Sequence, residues 1–249
     1  MRIMMLNCCL IFSIHVAHAL NIENPSFDSL HSSQIIVVVT DNWNSVRARL
    51  YCFEKQNGKW IYRFSFPAVV GKSGMGLGEG LFPVHLSDAP LKKEGDGKSP
   101  AGIFLLGPAF GYADKSKVSF IHIDYIKASD TLLCIDDGTS RYYNQLIHSG
   151  SIKADWHSHE EMHRKDEDYK WGIFVRHNTN PVMEAGGSCI FLHVWDNPEE
   201  GTVGCTAMEE KNILQLLHWI QSEKKPVLVQ FPVSVYHTLI DEYQLPELN

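Results

Sequence analysis

The 249-residue chain lacks an excess of basic residues and has no basic stripe. Its 22 lysine and arginine residues stand against 29 aspartate and glutamate residues, which gives a formal net charge of −7 at pH 7. An acidic chain without a cationic face has little to hold a phosphate backbone or an anionic bilayer. Nucleic acid and anionic membrane surfaces are therefore excluded as predicted partners.

The chain also has no internal repeat, no low-complexity segment and no complete phosphate-binding loop. Gly71 and Gly97 each begin a Gly-Lys-Ser triplet. The glycine that such a loop requires five residues earlier is Phe66 in the first case and Lys92 in the second. We therefore predict no nucleotide cofactor.

No apolar run is long enough to span a bilayer comfortably, but the N-terminus has the pattern of a signal peptide. Arg2 precedes a short apolar run over 3–16, and Ala17-His18-Ala19 fits the small-x-small cleavage rule. We predict a signal peptide over 1–19, a polar leader over 20–33, and one catalytic domain over 34–249. The mature chain would have no integral membrane segment.

Cysteines are few, and two of the six leave with the signal peptide. The others are Cys52, Cys134, Cys189 and Cys205, in a compartment where disulfides can form. Four cysteines allow three full pairings. If Cys205 is catalytic and free, Cys52–Cys134 is one candidate bridge, and Cys189 is expected to be a small apolar residue in a core strand.

The periodicity predicts many short strands and few helices, hence a mainly β (α+β) fold built as a sandwich or barrel. Asn57-Gly58 predicts a hairpin turn, and Gly71 to Gly80 reads as a flexible glycine-rich loop. A helix is expected over 155–165. The predicted strands are 34–40, 47–55, 59–66, 101–106, 118–124, 131–136, 171–177, 189–195 and 227–231.

The most informative pattern is an apolar strand that ends near His193 and a glycine-flanked turn that carries Cys205. A thiol becomes a nucleophile when a base takes its proton and its surroundings favour the thiolate. This pairing predicts acyl transfer through Cys205. A helix follows, because Ile213, Leu216, Leu217 and Ile220 have helical spacing.

The start of that helix is open from the sequence. Thr206 and Glu209 have capping-box spacing, which would place the positive helix end beside Cys205 and stabilise the thiolate. A start nearer Glu209 would leave His193 to do most of the activation.

A zinc site is the main competing interpretation. His159-Glu160-Glu161-Met162-His163 matches H-E-x-x-H, which on a helix directs two imidazoles to one face. No third ligand has a familiar spacing, and the segment is strongly polar. We therefore favour a solvated helix here and predict no metal.

Several segments together resemble the L,D-transpeptidase catalytic domain, the YkuD family. They are Gly95-Asp96-Gly97-Lys98-Ser99-Pro100-Ala101-Gly102-Ile103-Phe104, Tyr142-Tyr143-Asn144, Asp155-Trp156, Phe191-Leu192-His193 and Gly204-Cys205-Thr206-Ala207-Met208, within about 34–231.

The resemblance implies peptidoglycan chemistry in the periplasm or cell envelope, without a cofactor. Cys205 would attack the carbonyl of the third residue of a tetrapeptide stem, with His193 as base and then acid. The backbone around Gly204 and Thr206 would stabilise the oxyanion. An amine acceptor would complete a 3–3 cross-link or a protein anchor.

The chain departs from the common family pattern in three ways. The His–Cys spacing is shortened, Val203 stands where a second histidine is usual, and Ala207 replaces a frequent arginine. Arg176 or Arg141 are the candidate substitutes for that arginine. Further candidate substrate-binding residues are Thr202, Tyr143 and Trp156.

Other functions stay open at this point. Water as acceptor would make the enzyme an L,D-carboxypeptidase or endopeptidase. The other classes are a zinc peptidase using His159, Glu160 and His163, and a non-catalytic peptidoglycan-binding protein.

Overall fold

The computed structural model describes residues 30–248, so the predicted signal peptide and residues 20–29 of the predicted leader lie outside the described residues. Strands make up 36% of the structure and helices 14%, which confirms the mainly β prediction. No helix within 30–248 is long and apolar enough to cross a membrane.

The strands are β1 Gln34–Thr40, β2 Arg47–Gln56, β3 Lys59–Val69, β4 Met75–Leu77, β5 Ser99–Gly111, β6 Tyr125–Lys127, β7 Leu132–Cys134, β8 Leu146–His148, β9 Glu160–Glu161, β10 Trp171–Val175, β11 Phe191–Val194, β12 Thr206–Met208 and β13 Val227–Pro232. The α-helices are α1 Glu210–Trp219 and α2 Val233–Tyr243.

The main sheet closes on itself. Its strand order is β10-β11-β12-β3-β2-β1-β13-β5-β4, and an additional pairing of β10 with β5 joins the two sides of this order. The central strand β1 is buried along its whole length, between antiparallel β2 and parallel β13. Its run of isoleucine and valine therefore forms the centre of the core, as expected for a strand covered on both faces.

The hairpin between β2 and β3 confirms the turn predicted from Asn57-Gly58. Both residues have positive φ, 50° for Asn57 and 79° for Gly58. Two successive residues with positive φ are what a two-residue hairpin turn of the favoured hand requires. Val69, at the far end of this hairpin, pairs with Ala207 of β12 and connects the hairpin to the site described below.

The helix predicted over 155–165 is wrong, because this segment is irregular and contains only the short strand β9. Side-chain oxygens replace the helical hydrogen bonds there: Asp137 Oδ2 accepts from the backbone of His157, and Ser140 donates to Asp155. Met162 is fully buried and ties the segment to the barrel. Together with β7 and β8, β9 forms a separate three-stranded sheet, called the small sheet below.

Two further predictions change. Residues 118–124 form turns with one isolated bridge, from His122 to Gln221, and no strand. Helix α2 follows the predicted closing strand, where no helix is predicted, and it packs on β1 and β13. Its apolar stripe includes the buried residues Tyr236, Leu239 and Tyr243, so helical spacing was present in the sequence.

The glycine-rich segment 71–80 is packed against the barrel and is no open, flexible loop. It contains β4, which runs parallel to β5. A Cβ placed on Gly71 would lie 2.3 Å from the carbonyl oxygen of Gly97 and 2.7 Å from the backbone nitrogen of Ser99. Glycine is required here because two backbone segments approach too closely for any side chain.

The predicted Cys52–Cys134 bridge is also wrong, since the disulfide joins Cys134 to Cys189. Cys52 is free and buried in the main core, while Cys134 and Cys189 belong to a second apolar cluster. Cys189 is accordingly no core-strand residue: it precedes β11 with a φ of 53°. The disulfide links the small sheet to the strand that carries His193.

Gly71→Ala should destabilise the fold by about 1–3 kcal/mol or more, because the added methyl group collides with backbone that has little room to move. Urea unfolding measures the change. Gly150→Ala is the matched control, since a Cβ at Gly150 meets no atom within 4 Å. Equal unfolding midpoints for the two variants would show that the 71–80 segment is loosely held.

Candidate active site

Cys205 and His193 line one cleft of about 290 Å³. The cleft forms where β11 and β12 run parallel, with His193 of β11 in register with Ala207 of β12. This pairing places the turn before β12 beside the imidazole. Val69 of β3 and Thr202 complete part of the wall.

His193 is buried and held in one tautomer. Its Nδ1 lies 2.6 Å from the carbonyl oxygen of Val194. Because a carbonyl oxygen only accepts hydrogen bonds, Nδ1 carries the proton of the neutral ring and Nε2 is unprotonated. Burial lowers the pKa of His193 to about 4, although the Val194 and Asp168 backbone groups act in the opposite direction, so the imidazole is neutral at pH 7. A neutral imidazole with an unprotonated nitrogen is the form that a general base requires.

Cys205 is almost completely buried and is a thiol in this state. The Phe191 amide donates to its Sγ at 3.3 Å, and the thiol lies 3.5 Å from the Cys189 carbonyl oxygen, toward which it donates. Burial raises the pKa of Cys205 well above its usual range, and the nearby carboxylate of Glu160 acts in the same direction. The surroundings of Cys205 therefore favour the thiol over the thiolate in this state.

The structure also decides where the following helix starts. α1 begins at Glu210, and β12 stands between it and Cys205. Thr206 belongs to that strand, and its hydroxyl donates to Gln230 at 2.7 Å, so no capping box forms. Because the effect of a helix end fades within about one turn, α1 contributes little to Cys205.

Two hydroxyl groups fix the backbone of the nucleophile. Ser99 and Thr202 both donate to the Cys205 carbonyl oxygen, at 2.7 and 2.6 Å. Ser99 in turn accepts from the Gly71 amide, and Thr202 accepts from the Gly204 amide. The conformation of the turn is thus determined by side chains from outside the strand pair. Ser99 lies in the Gly95–Gly102 segment of the family resemblance, which explains why that segment accompanies the cysteine.

The structure brings only one of the four predicted substrate-binding residues to this cleft. Thr202 lines it, but its hydroxyl serves the turn. Tyr143 is buried and donates to Glu94, and Trp156 packs edge-on against Tyr142.

The predicted arginines lie elsewhere as well. Arg176 lines a separate cavity beside Leu105 and Lys225. Arg141 pairs with Asp155 on the surface.

The charged residues that line the cleft are not among the site residues predicted from the sequence. Arg164 makes two hydrogen bonds to Asp166, at 2.7 and 2.6 Å, and its guanidinium lies 5.0 Å from the centre of the Tyr169 ring. Asp168 and Asp196 lie beside it in the cleft wall, and burial together with neighbouring carboxylates raises the pKa of Asp168 to about 6. The segment reaches the cleft because the Val194 amide donates to the Asp168 carbonyl. The only available signal was the charged run around 164–168.

The H-E-x-x-H segment does not have the geometry that the zinc hypothesis needs. It is extended around β9, so its histidines do not share a helix face. His159 is exposed, and His163 lies 2.6 Å from Asp130. Glu160 instead accepts a hydrogen bond from Tyr169, beneath the cleft. Residues 30–248 contain no group of three or more His, Cys, Asp or Glu side chains arranged to hold a metal ion.

Comparison with known families agrees with this geometry. The family model for the L,D-transpeptidase catalytic domain, YkuD, matches residues 33–229. The chain belongs to this family. The match spans both the Ser99 segment and the His193–Cys205 pair, and family membership indicates a role connected with peptidoglycan.

Two solved structures are similar to part of the chain. Bd1075 of Bdellovibrio bacteriovorus is 14% identical with a TM-score of 0.38, over 80% of this chain and 47% of that one. The helical cell shape determining protein Pgp2 of Campylobacter jejuni, as its K307A mutant, is 15% identical with a TM-score of 0.39, over 81% and 47%. The chain therefore spans about half the length of these proteins. No curated protein matches it.

Alkylation of Cys205 by iodoacetamide should accelerate steadily with pH between about pH 6 and pH 9, because the thiolate is scarce throughout this range. Mass spectrometry of the modified peptide measures the rate, and Cys205→Ala identifies the signal. A rate that is already constant from about pH 5 would contradict this prediction, since it would show a preformed thiolate–imidazolium pair.

Proposed function

We propose that this protein is a peptidoglycan L,D-transpeptidase that uses Cys205 as nucleophile and His193 as general base and acid. The observation that carries the proposal is their shared cleft, with a neutral imidazole whose Nδ1 faces the Val194 carbonyl oxygen. The substrate would be the tetrapeptide stem of peptidoglycan. No cofactor enters the proposed reaction.

The reaction begins with proton transfer. In the resting state the thiol hydrogen points toward the Cys189 carbonyl oxygen. In the proposed reaction the thiol turns from this carbonyl toward the His193 imidazole, which takes the proton as sulfur attacks the carbonyl carbon of the third stem residue. The Val194 carbonyl stabilises the imidazolium through Nδ1–H. Because both groups start neutral, charge separation occurs only when substrate is in place.

The tetrahedral intermediate then collapses to a thioester. His193 returns its proton to the amine of the terminal residue, which leaves with the electrons of the broken C–N bond. Backbone N–H groups of the turn would stabilise the oxyanion, each contributing a few kcal/mol. The Gly204 amide is engaged by Thr202 in this state, so the amides of Cys205 and Thr206 are the donors that we favour.

Charges in the cleft suit a zwitterionic substrate. Arg164 is the only arginine or lysine among the cleft-lining residues and would bind a stem carboxylate. Asp168 and Asp196 would bind the ammonium group of a diamino acid and favour an amine acceptor that releases the thioester as a cross-link. Water in that position would give an L,D-carboxypeptidase instead.

The proposed site of action is the periplasm or cell envelope. Peptidoglycan lies outside the cytoplasmic membrane, and the pattern over 1–19 supports export. The Cys134–Cys189 disulfide is also typical of an exported protein. We therefore retain 34–249 as the catalytic domain and 20–33 as its leader.

Incubation of mature protein with tetrapeptide muropeptides should yield 3–3 cross-linked dimers, and Cys205→Ala should remove them while the unfolding midpoint stays nearly unchanged. Mass spectrometry identifies the products. Tripeptides without dimers would assign water as acceptor and keep the nucleophile. Turnover retained in Cys205→Ala would contradict the mechanism, and no product from either protein would favour a binding protein.

Arg164→Gln should raise the KM for the stem peptide by about tenfold or more, because a hydrogen bond between two charged groups contributes roughly 1.5–3 kcal/mol. Steady-state kinetics with varied peptide measures this. Arg176→Gln is the matched control, since Arg176 lies in a separate cavity. Equal KM values for the two variants would remove Arg164 from substrate binding.

A further inference from the structure

Glu160 is a carboxylic acid that the proposed mechanism leaves without a role. It lies on β9 of the small sheet, half-buried, and its Oε2 accepts a hydrogen bond from the hydroxyl group of Tyr169 at 2.5 Å. Its neighbour Glu161 is exposed to solvent. Adjacent strand residues point to opposite faces, so Glu160 and not Glu161 faces Tyr169, which lines the cleft.

Tyr169 connects Glu160 to the catalytic base. Only 4% of Tyr169 is exposed, and its ring packs edge-on against the His193 imidazole with centroids 5.3 Å apart. Phe191 and Phe110 hold the same ring at 5.3 and 5.8 Å, and Arg164 covers it. A rotation of the tyrosine would therefore disturb the imidazole directly.

The small sheet reaches the nucleophile as well. Glu160 is in register with Cys134 of β7, and Cys134 forms the disulfide with Cys189. The Cys189 carbonyl oxygen in turn faces the Cys205 thiol. Two paired residues of the small sheet are therefore connected to the proposed catalytic pair: Glu160 to His193 through Tyr169, and Cys134 to Cys205 through Cys189.

We propose that Glu160 is a positioning residue: it fixes Tyr169 against His193 and thereby sets the orientation of the catalytic base. The proposal rests on the proposed function, because His193 matters as the base of Cys205. Glu160 touches no reacting atom, and it orients His193 only through Tyr169. The H-E-x-x-H match thus contains one functional residue, and its chemistry involves no metal.

The charge of Glu160 has a second, measurable consequence. Burial raises its pKa to about 7, and Tyr169, Asp136, Arg164, Glu94 and Cys205 are the ionisable groups that act on it or receive its charge. Above this pKa the carboxylate disfavours the Cys205 thiolate. Below it, the protonated acid has no such effect.

Glu160→Gln, Glu160→Ala and Tyr169→Phe test the proposal, with Glu161→Gln as the matched control. Glu160→Gln keeps an acceptor for the tyrosine hydroxyl and removes the charge. Its kcat should stay near wild type, while Cys205 alkylation above pH 7 should shift to lower pH by about one unit. Below pH 7 the two alkylation rates should coincide.

Glu160→Ala and Tyr169→Phe should each lower kcat by roughly tenfold to 100-fold with little change in KM, because misorientation of a reacting group costs that order of rate. The double variant should lose no more than the single ones, since both act along one connection. Equal kcat and alkylation profiles for Glu160→Ala and Glu161→Gln would overturn the proposal.

Alkylation of Cys205 keeps this test separate from the proposed function. It reports the electrostatic effect of Glu160 without any peptidoglycan substrate, so it is informative even if wild type forms no cross-links. If Glu160→Ala fails to fold, Tyr169→Phe still tests the positioning role, and an unchanged kcat in that variant would overturn it. An unshifted alkylation profile in Glu160→Gln would count against the electrostatic effect.

Discussion

The parallel pairing of β11 with β12 is the constraint on which the site depends. It sets His193 against the turn of Cys205, and the barrel holds both strands between β10 and β3. The turn itself is fixed by hydroxyl groups of Ser99 and Thr202 on the Cys205 carbonyl oxygen. The geometry of the Cys205 turn therefore comes from the sheet and from two side-chain hydrogen bonds, which is the kind of support that precise positioning requires.

Burial is the second organising influence, and it acts on both members of the pair. It lowers the pKa of His193 and raises that of Cys205, so the resting site holds a thiol and a neutral imidazole. A resting site that holds a thiol is less reactive toward adventitious electrophiles than one that holds a thiolate. In the proposed mechanism, activation depends on substrate, whose binding aligns the thiol with the imidazole. Arg164 and Asp168 line the same cleft and are the residues that we propose to supply this alignment.

How much could be predicted from the sequence follows from the range of each interaction. The β2–β3 hairpin and β1 depend on local pattern, and both agree with the structure. The motif residues Cys205 and His193 line one cleft, and their catalytic roles stay a proposal. The helical prediction for the segment around Glu160 is wrong because long-range contacts, which local spacing does not reveal, stabilise its extended conformation. Met162 burial and the Tyr169 hydrogen bond cannot be read from spacing. The cysteine pairing failed for the same reason, since it depends on which cluster each residue joins.

The proposed mechanism requires a covalent acyl-enzyme on Cys205, formed with His193 as base. Intact-mass spectrometry of the mature protein, quenched early in the reaction with a tetrapeptide stem, detects this intermediate. We expect a mass increase equal to the tripeptide acyl group less one hydrogen, located on the Cys205 peptide, absent from Cys205→Ala and strongly reduced in His193→Ala. Product formation with an adduct on another residue, or an undiminished adduct in His193→Ala, would contradict it.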